Sequence, residues 1–273
     1  MVDHSLHILV TGASRGLGAS LAKHCAQYYA KNQPRVLLSL VARNETALTD
    51  CARQCQHFGA EVNYYIADLQ NIDPTMTLIE TIAKQPVDIA FINAAASGHS
   101  TDGEELWTQQ QTIIQTNLMA AMACATSLIP SMKQRQQGKL VFISSIAAYR
   151  GFGLNPSYNA SKAGIKCYAD SMRHALASYG ISVCTVMPGF VNSDMSAAFP
   201  GAKPLLISSD KAAMIIRKKI DNHATLIQFA WPLIAGQKLL SLLPARWADK
   251  ILTWLSYGTV TNSSKKDRRS TAN

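Results

Sequence analysis

Tyr158 and Lys162 lie four residues apart in the stretch Tyr158-Asn159-Ala160-Ser161-Lys162, and the run from Ala163 to Tyr179 that follows is rich in helix formers. On a helix, positions i and i+4 share a face, which would set the lysine beside the working end of the tyrosine. A phenol with its ordinary pKa of about 10 is a poor acid or base at neutral pH. A neighbouring cation favours the phenolate and lowers that value, so the pair suits general acid-base chemistry on an alcohol or a carbonyl. The same spacing also describes a half-buried ring beside a solvated amine. Of the nine tyrosines, however, only Tyr158 has a lysine four residues on; the nearby Tyr149 has Gly153 there.

The elements that must position this pair read as alternating short strands and helices. Apolar runs at Leu6–Val10, Val36–Val41, Val62–Ile66, Ile89–Ile92, Leu140–Ile143 and Ile181–Met187 predict strands. Between them, helical spacing covers Arg15–Lys31, Glu45–Phe58, Pro74–Lys84, Glu104–Ile129 and Pro156–Tyr179. Buried strands alternating with helices predict an α/β fold, a doubly wound parallel sheet with helices on both faces.

Between the first strand and first helix stands Thr11-Gly12-Ala13-Ser14-Arg15-Gly16-Leu17-Gly18. Glycines there permit a tight turn and close backbone approach, and the helix N-terminus offers unpaired N–H groups to a pyrophosphate. The second strand ends Val41-Ala42-Arg43-Asn44, without the carboxylate that would hold a ribose 2′-hydroxyl. Arg43 and Arg15 could instead grip a 2′-phosphate through forked, charge-assisted hydrogen bonds, so NADP(H) is favoured over NAD. Asp68, in Ala67-Asp68-Leu69, is placed either to accept from an adenine or to cap the next helix.

Composition bounds the rest. With 48% hydrophobic and 16% charged residues over 273 positions, the chain can build a large core, which excludes wholesale disorder. The net charge of +9 is uneven: residues 1–202 hold 14 Lys+Arg against 13 Asp+Glu, whereas residues 203–273 hold 12 against 4. That argues against a nucleic-acid surface on the main domain and assigns the basic excess to the tail. The six cysteines form no CxxC pair and read as small core residues in a reducing compartment, and the seven histidines form no ligand cluster, so no metal site is expected. An apolar strand almost at the N-terminus leaves no room for a signal peptide, and no apolar run approaches the roughly 20 residues that span a bilayer. A cytoplasmic protein is expected.

With these residues in view, the chain resembles the short-chain dehydrogenase/reductase family from Leu6 to about Met195. The resemblance rests on TGASRGLG at Thr11–Gly18, ADL at Ala67–Leu69, NAA at Asn93–Ala95, Asn117, the pair Ser144-Ser145, YNASK at Tyr158–Lys162 and PGFVNSD at Pro188–Asp194, in matching order and spacing. It implies a Rossmann domain in which Tyr158 is the acid-base. Lys162 lowers its pKa and holds the nicotinamide ribose, and Asn117 anchors a water and a backbone kink. The family's spacing of thirteen residues before the tyrosine selects Ser145 over Ser144 as the donor to the substrate oxygen. By the same resemblance Gly12, Ser14, Gly16, Leu17, Gly18, Leu69, Asn93, Ala94, Pro188, Val191 and Ser193 join the two arginines and Asp68 along the cofactor. Asn93-Ala94-Ala95 departs from the common Asn-Ala-Gly, which bears only on local loop geometry.

The loop from Phe190 to Ile207, carrying Met195, Phe199, Pro200, Leu205 and Leu206, predicts an apolar substrate pocket. Residues 1–222 read as the oxidoreductase domain, 223–258 as a helical extension divided by Pro232 and Pro244, and 259–273 as a basic, disordered tail. The extension mixes Trp231, Trp247 and Trp254 with Lys238, Arg246 and Lys250, which suits peripheral contact with a membrane surface or a helical cover on the domain or on a second subunit. The family further implies a homo-oligomer, dimer or tetramer. Reduction of an apolar or lipid-like ketone or aldehyde by NADPH is the reading that results. A small-molecule dicarbonyl or sepiapterin-like reductase and a non-catalytic NADP(H) sensor or scaffold are its alternatives.

Overall fold

The structure, a computed structural model, describes residues 5–98, 105–199 and 202–254. The basic tail, Pro200 of the substrate loop and the expected helix start at Glu104 lie outside the described residues.

Seven parallel strands form one sheet in the order β3-β2-β1-β4-β5-β6-β7. They are β1 (Leu6–Thr11), β2 (Val36–Ala42), β3 (Glu61–Ile66), β4 (Ile89–Ile92), β5 (Gly138–Ile143), β6 (Ile181–Met187) and β7 (Leu226–Gln228). Side-chain alternation feeds two cores. Ile8 and Val10 of β1 join one face with Leu38 and Leu40, while Leu9 and Val41 join the other. Because both faces are covered, β2 is buried at every position, which is why it reads as an apolar run broken only by Ser39, whose hydroxyl is paired with the His7 ring.

The first face is covered by α1 (Gly16–Asn32), α2 (Glu45–His57) and, after the short α7 (Asp194–Ala197) in the loop beyond β6, α8 (Ser209–Asp221), through Leu21, Leu48 and Ile216. The second is covered by α3 (Ile72–Ala83), α5 (Ala120–Arg135) and α6 (Pro156–Leu176), through Ile79, Leu128 and Ile165. Strand order reverses between β1 and β4, so the carboxyl ends of Thr11 and Ile92 flank a crevice where such sheets bind ligands. Five of the six cysteines are buried in these cores, but Cys167 is exposed on α6.

Several elements differ from their sequence reading. The edge strand β3 starts at Glu61, its polar letters fitting a strand paired on one side only. Helix α3 starts at Ile72, with Pro74 in the first turn, where no intrahelical N–H is needed. The fourth helix runs as α4 (Trp107–Ile114), a π turn (Gln115–Met119) and α5, passing through Pro130 to Arg135. Its continuation past the proline is secured by Met132, buried against the place where Gly138 lacks a side chain. By length and hydropathy this Trp107–Arg135 segment meets the requirement for crossing a bilayer, contrary to the sequence reading; its apolar face packs on the sheet. Beyond residue 222, β7 adds a strand beside β6, so the sheet continues into the stretch assigned to the extension. Two helices follow, α9 (Trp231–Leu242) and α10 (Ala245–Trp254), with Pro232 in the first turn of one and Pro244 just before the other.

Candidate active site

The turn after β1 is fixed by backbone crowding. Gly12 has φ +68°, and a Cβ there would come within 2.8 Å of the Ala94 Cα; one on Gly18 would run into the Gly12 carbonyl. The adjacent β4 end is stitched to this turn: Thr11 Oγ1 accepts from the backbone N–H groups of Asn93 (2.9 Å) and Ala94 (3.1 Å), and Asn93 Nδ2 donates to Thr11 O (3.0 Å). At the start of α1, the N-cap Arg15 makes no side-chain capping bond, which leaves the first N–H groups of the helix for a ligand.

Both arginines expected to grip a phosphate border the crevice, and each faces an acid. Arg43 lies 3.6 Å from Asp68, and Arg15 reaches Asp194 at 3.0 Å. These pairs are largely solvated and so exchange partners at small cost. Asp68 accepts from the Gln70 N–H (3.1 Å), and the N-cap of α3 is Asn71, so capping that helix is not the role of Asp68.

At the carboxyl end of β5, Ser144 is buried and donates to the Lys162 backbone carbonyl (2.7 Å), locking β5 to α6. Ser145 opens a tight 3-10 turn (Ile146–Ala148), its Oγ accepting from the Ala147 N–H at 3.2 Å. Two turns into α6, Lys162 is buried; its Nζ donates to Ile143 O (2.9 Å) and sits 5.6 Å from the centre of the Tyr158 ring. Desolvation pushes the Lys162 ammonium down to about 8. It pushes the Tyr158 phenol up to about 12, against an opposing pull from the Ser145 hydroxyl. In the protein by itself, then, the phenol moves opposite to the lowering expected from the lysine, because burial outweighs the pull of the Ser145 hydroxyl. Tyr158 holds its proton through neutral pH.

Asn117 lies in the π turn and is fully buried. Its Oδ1 accepts from the Ala96 N–H (2.7 Å) and its Nδ2 donates to Ala96 O (2.9 Å) and Ser161 Oγ (2.9 Å). Ser161 in turn donates to the Tyr158 carbonyl (2.7 Å). Asn117 thereby ties the segment after β4 to the first turn of α6 without lining the cavity. The π turn lies at the position where the resemblance implies a backbone kink.

A single cavity of about 540 Å³ joins these parts. Every residue nominated for the cofactor lines it, among them Gly12, Ser14, Gly16, Leu17, Leu69, Pro188, Val191 and Ser193, together with Ser145, Tyr158 and Lys162. Beyond the tyrosine its wall is aromatic: Phe190 and Phe199 lie 5.5 Å apart and Phe152 and Phe199 6.3 Å apart, centre to centre. Met195 also faces the cavity, but Leu205 and Leu206 point to solvent. The bridge between Val191 and Ile207 pins the base of their loop, and Leu205 takes a φ of +55°.

The short chain dehydrogenase family matches residues 6–203. The chain belongs to this family. As a member, the dehydrogenase is an oxidoreductase acting on CH–OH or C=O groups of small molecules with a nicotinamide cofactor, and the glycine turn and open helix start fit such a dinucleotide. It is 32% identical over 224 residues to the ketoacyl reductase HetN of Nostoc sp., covering 80% of this chain and 76% of that one. It is 28% identical over 198 residues to the 3-oxoacyl-(acyl-carrier-protein) reductase FabG of Vibrio cholerae, covering 70% and 75%. A short-chain dehydrogenase from Sphingobium yanoikuyae, solved in complex with NADPH, superposes with a TM-score of 0.73 at 23% identity, over 88% of this chain and 96% of that one.

Among the lining residues that sequence reasoning missed are Thr116, Phe152, Asn155 and Gln237. Phe152 carries a legible signal, a large ring between Gly151 and Gly153. Gln237 carries a subtler one: it is the polar member of an apolar helical stripe.

Proposed function

We propose that the chain is an NADPH-dependent reductase of an apolar, lipid-like ketone or aldehyde. The observation that carries this reading is the convergence of Ser145, Tyr158 and Lys162 in one cavity whose far side is the glycine turn with Arg43 and whose near side is walled by phenylalanines. NADPH, when bound, supplies the hydride. Gly12, Gly18 and the start of α1 would hold its pyrophosphate. Arg43 and Arg15 would exchange their exposed acidic partners for its 2′-phosphate.

A substrate carbonyl oxygen between Ser145 and Tyr158 receives a hydrogen bond from the serine, which stabilises the charge that develops there. Tyr158 gives its proton to that oxygen. Because an aliphatic alcohol is a weaker acid than a phenol, the transfer runs downhill even from a phenol raised by burial. Lys162, held by Ile143 O, stabilises the phenolate left behind. Asn117 acts by positioning, since it fixes the backbone that carries Tyr158. The phenylalanine wall and the ketoacyl reductase names of two relatives support a lipid-like substrate.

The same reading includes a cytoplasmic enzyme in peripheral contact with anionic membrane. Trp231, Leu242, Trp247 and Trp254 are exposed beside Lys238, Arg246 and Lys250 on α9 and α10. A homo-oligomer through α5 and α6 is supported by Met119 and Met122, exposed at the start of α5.

The test is consumption of NADPH and of NADH with matched panels of long-chain 3-oxo esters, steroid ketones and small diketones. Turnover of the apolar panel with NADPH is expected, and turnover of the small diketones alone would replace this reading with the small-molecule one. Co-sedimentation with vesicles containing phosphatidylserine is expected to weaken in a Trp231→Ser, Trp254→Ser variant; equal binding would remove the membrane contact.

A further inference from the structure

Helix α9 is the last element to reach the cavity, and it is tied down beside the catalytic turn. Its inner stripe, Leu233, Ile234, Gln237 and Leu240, faces the body of the protein at helical spacing. Close to its start, a Cβ on Gly189 would meet Ala230 Cβ at 3.2 Å, Leu233 Cδ1 at 3.7 Å and Ile146 Cδ1 at 3.8 Å, so the helix lies directly over the turn that Ser145 opens. Arg150 fastens it, donating to Leu240 O (3.4 Å) and to Asp249 of α10 (2.7 Å).

Gln237 is out of character in that stripe. Its neighbours there are leucine and isoleucine, yet it brings a carboxamide that is only 7% exposed. Its Oε1 is sealed from solvent, and no hydrogen-bonding group among the described residues pairs with it. Buried side-chain amides are matched in the great majority of proteins, and one left over at a binding cavity is a recognition element awaiting its partner. Gln237 lines the same cavity as Ser145 and Tyr158. The atom left over is the amide oxygen, which accepts, so the group that would match it is a hydroxyl or N–H donor.

Building on the carbonyl reductase reading, we infer that Gln237 determines specificity, its Oε1 accepting a hydrogen bond from a hydroxyl of the substrate while Ser145 and Tyr158 hold the carbonyl oxygen being reduced. The substrate class is then an apolar ketone that also carries a hydroxyl donor, such as a long-chain hydroxyketone, rather than a plain hydrocarbon ketone. The phenylalanine wall accommodates the hydrocarbon part equally well in both, so only the amide separates them. A site whose buried polar group is left unmatched rejects the analogue that lacks the partner.

The experiment compares kcat/KM for a long-chain hydroxyketone and for a monoketone of equal length, in the full chain and in Gln237→Leu and Gln237→Met. Wild type is expected to favour the hydroxyketone, and both variants to reduce the hydroxyketone-to-monoketone ratio by about tenfold or more, chiefly through KM for the hydroxyketone. A wild-type enzyme that reduces both probes, with a ratio that neither substitution moves, overturns the role of Gln237 and leaves the reductase reading standing. A wild-type enzyme that reduces no carbonyl probe overturns both. Thermal unfolding of the two variants checks that they fold; if the leucine form does not, the methionine form, with its flexible unbranched chain, decides the outcome.

Discussion

The glycine turn and the phenylalanine wall border the same cavity but are built in opposite ways. The turn is made of backbone: Gly12, Gly18, Thr11 and Asn93 crowd so closely that a single methyl group has nowhere to go. The wall is made of side chains drawn from Phe152, Phe190, Phe199 and Gln237, on segments separated by up to 85 residues and joined only by the fold. A surface made of main chain recognises what all members of a cofactor class share, whereas a surface made of side chains can be retuned one residue at a time. Tyr158 stands where the two meet.

That contrast can be sharpened first at the junction. Tyr158→Phe is expected to lower kcat by about a hundredfold to ten-thousandfold while leaving NADPH affinity, read by fluorescence titration, close to wild type. A parallel loss of affinity would mean that the two regions are not separable. Gly18→Ala is expected to destabilise the protein by about 1–3 kcal/mol in chemical denaturation, because the new carbon meets the Gly12 carbonyl and the Asn93 amide. An unchanged midpoint would show that the turn yields more readily than its crowding implies.

Arg43→Ala should weaken NADPH about tenfold and NADH much less, since the cation would meet the 2′-phosphate that NADH lacks. Equal losses for the two cofactors would defeat the assignment. The smallest effect is one of pH. Lys162 titrates near 8, below the ordinary lysine value of about 10.4, so its charge is retained below about pH 8 and lost above it. Accordingly kcat/KM for carbonyl reduction should fall as pH rises through about 8, and a flat profile there would remove the lysine from the proton path. The stability contribution has the opposite sense. The folded chain carries a penalty for the buried charge below about pH 8, and that penalty is relieved as pH rises toward about 10.4, where the unfolded lysine also loses its proton.

What the sequence makes legible follows the same division. Strands β1, β2 and β6 are readable because a sheet covered on both faces leaves little room for polar letters, and the residues of the glycine turn are readable because steric demand fixes their type. Other features depend on contacts no local pattern encodes. The three residues of β7 vanish within a longer apolar run, and α5 survives Pro130 because packing around Met132 outweighs one missing hydrogen bond. The acidic partner of Arg15 lies 179 positions away. The Tyr158 pKa could not be read from spacing, because the four-residue step to Lys162 says nothing about how deeply both groups are desolvated. Leu205 and Leu206, apolar and correctly located along the chain, turn outward because the bridge at Ile207 sets the direction of their loop.

The position of β7 has an evolutionary consequence. The sheet is finished at Gln228, and only afterwards does the chain add the helix that looks into the cavity. Whatever comes after that last strand can be replaced without unthreading the scaffold, so the choice of molecule and the capacity to transform it are free to diverge at different rates.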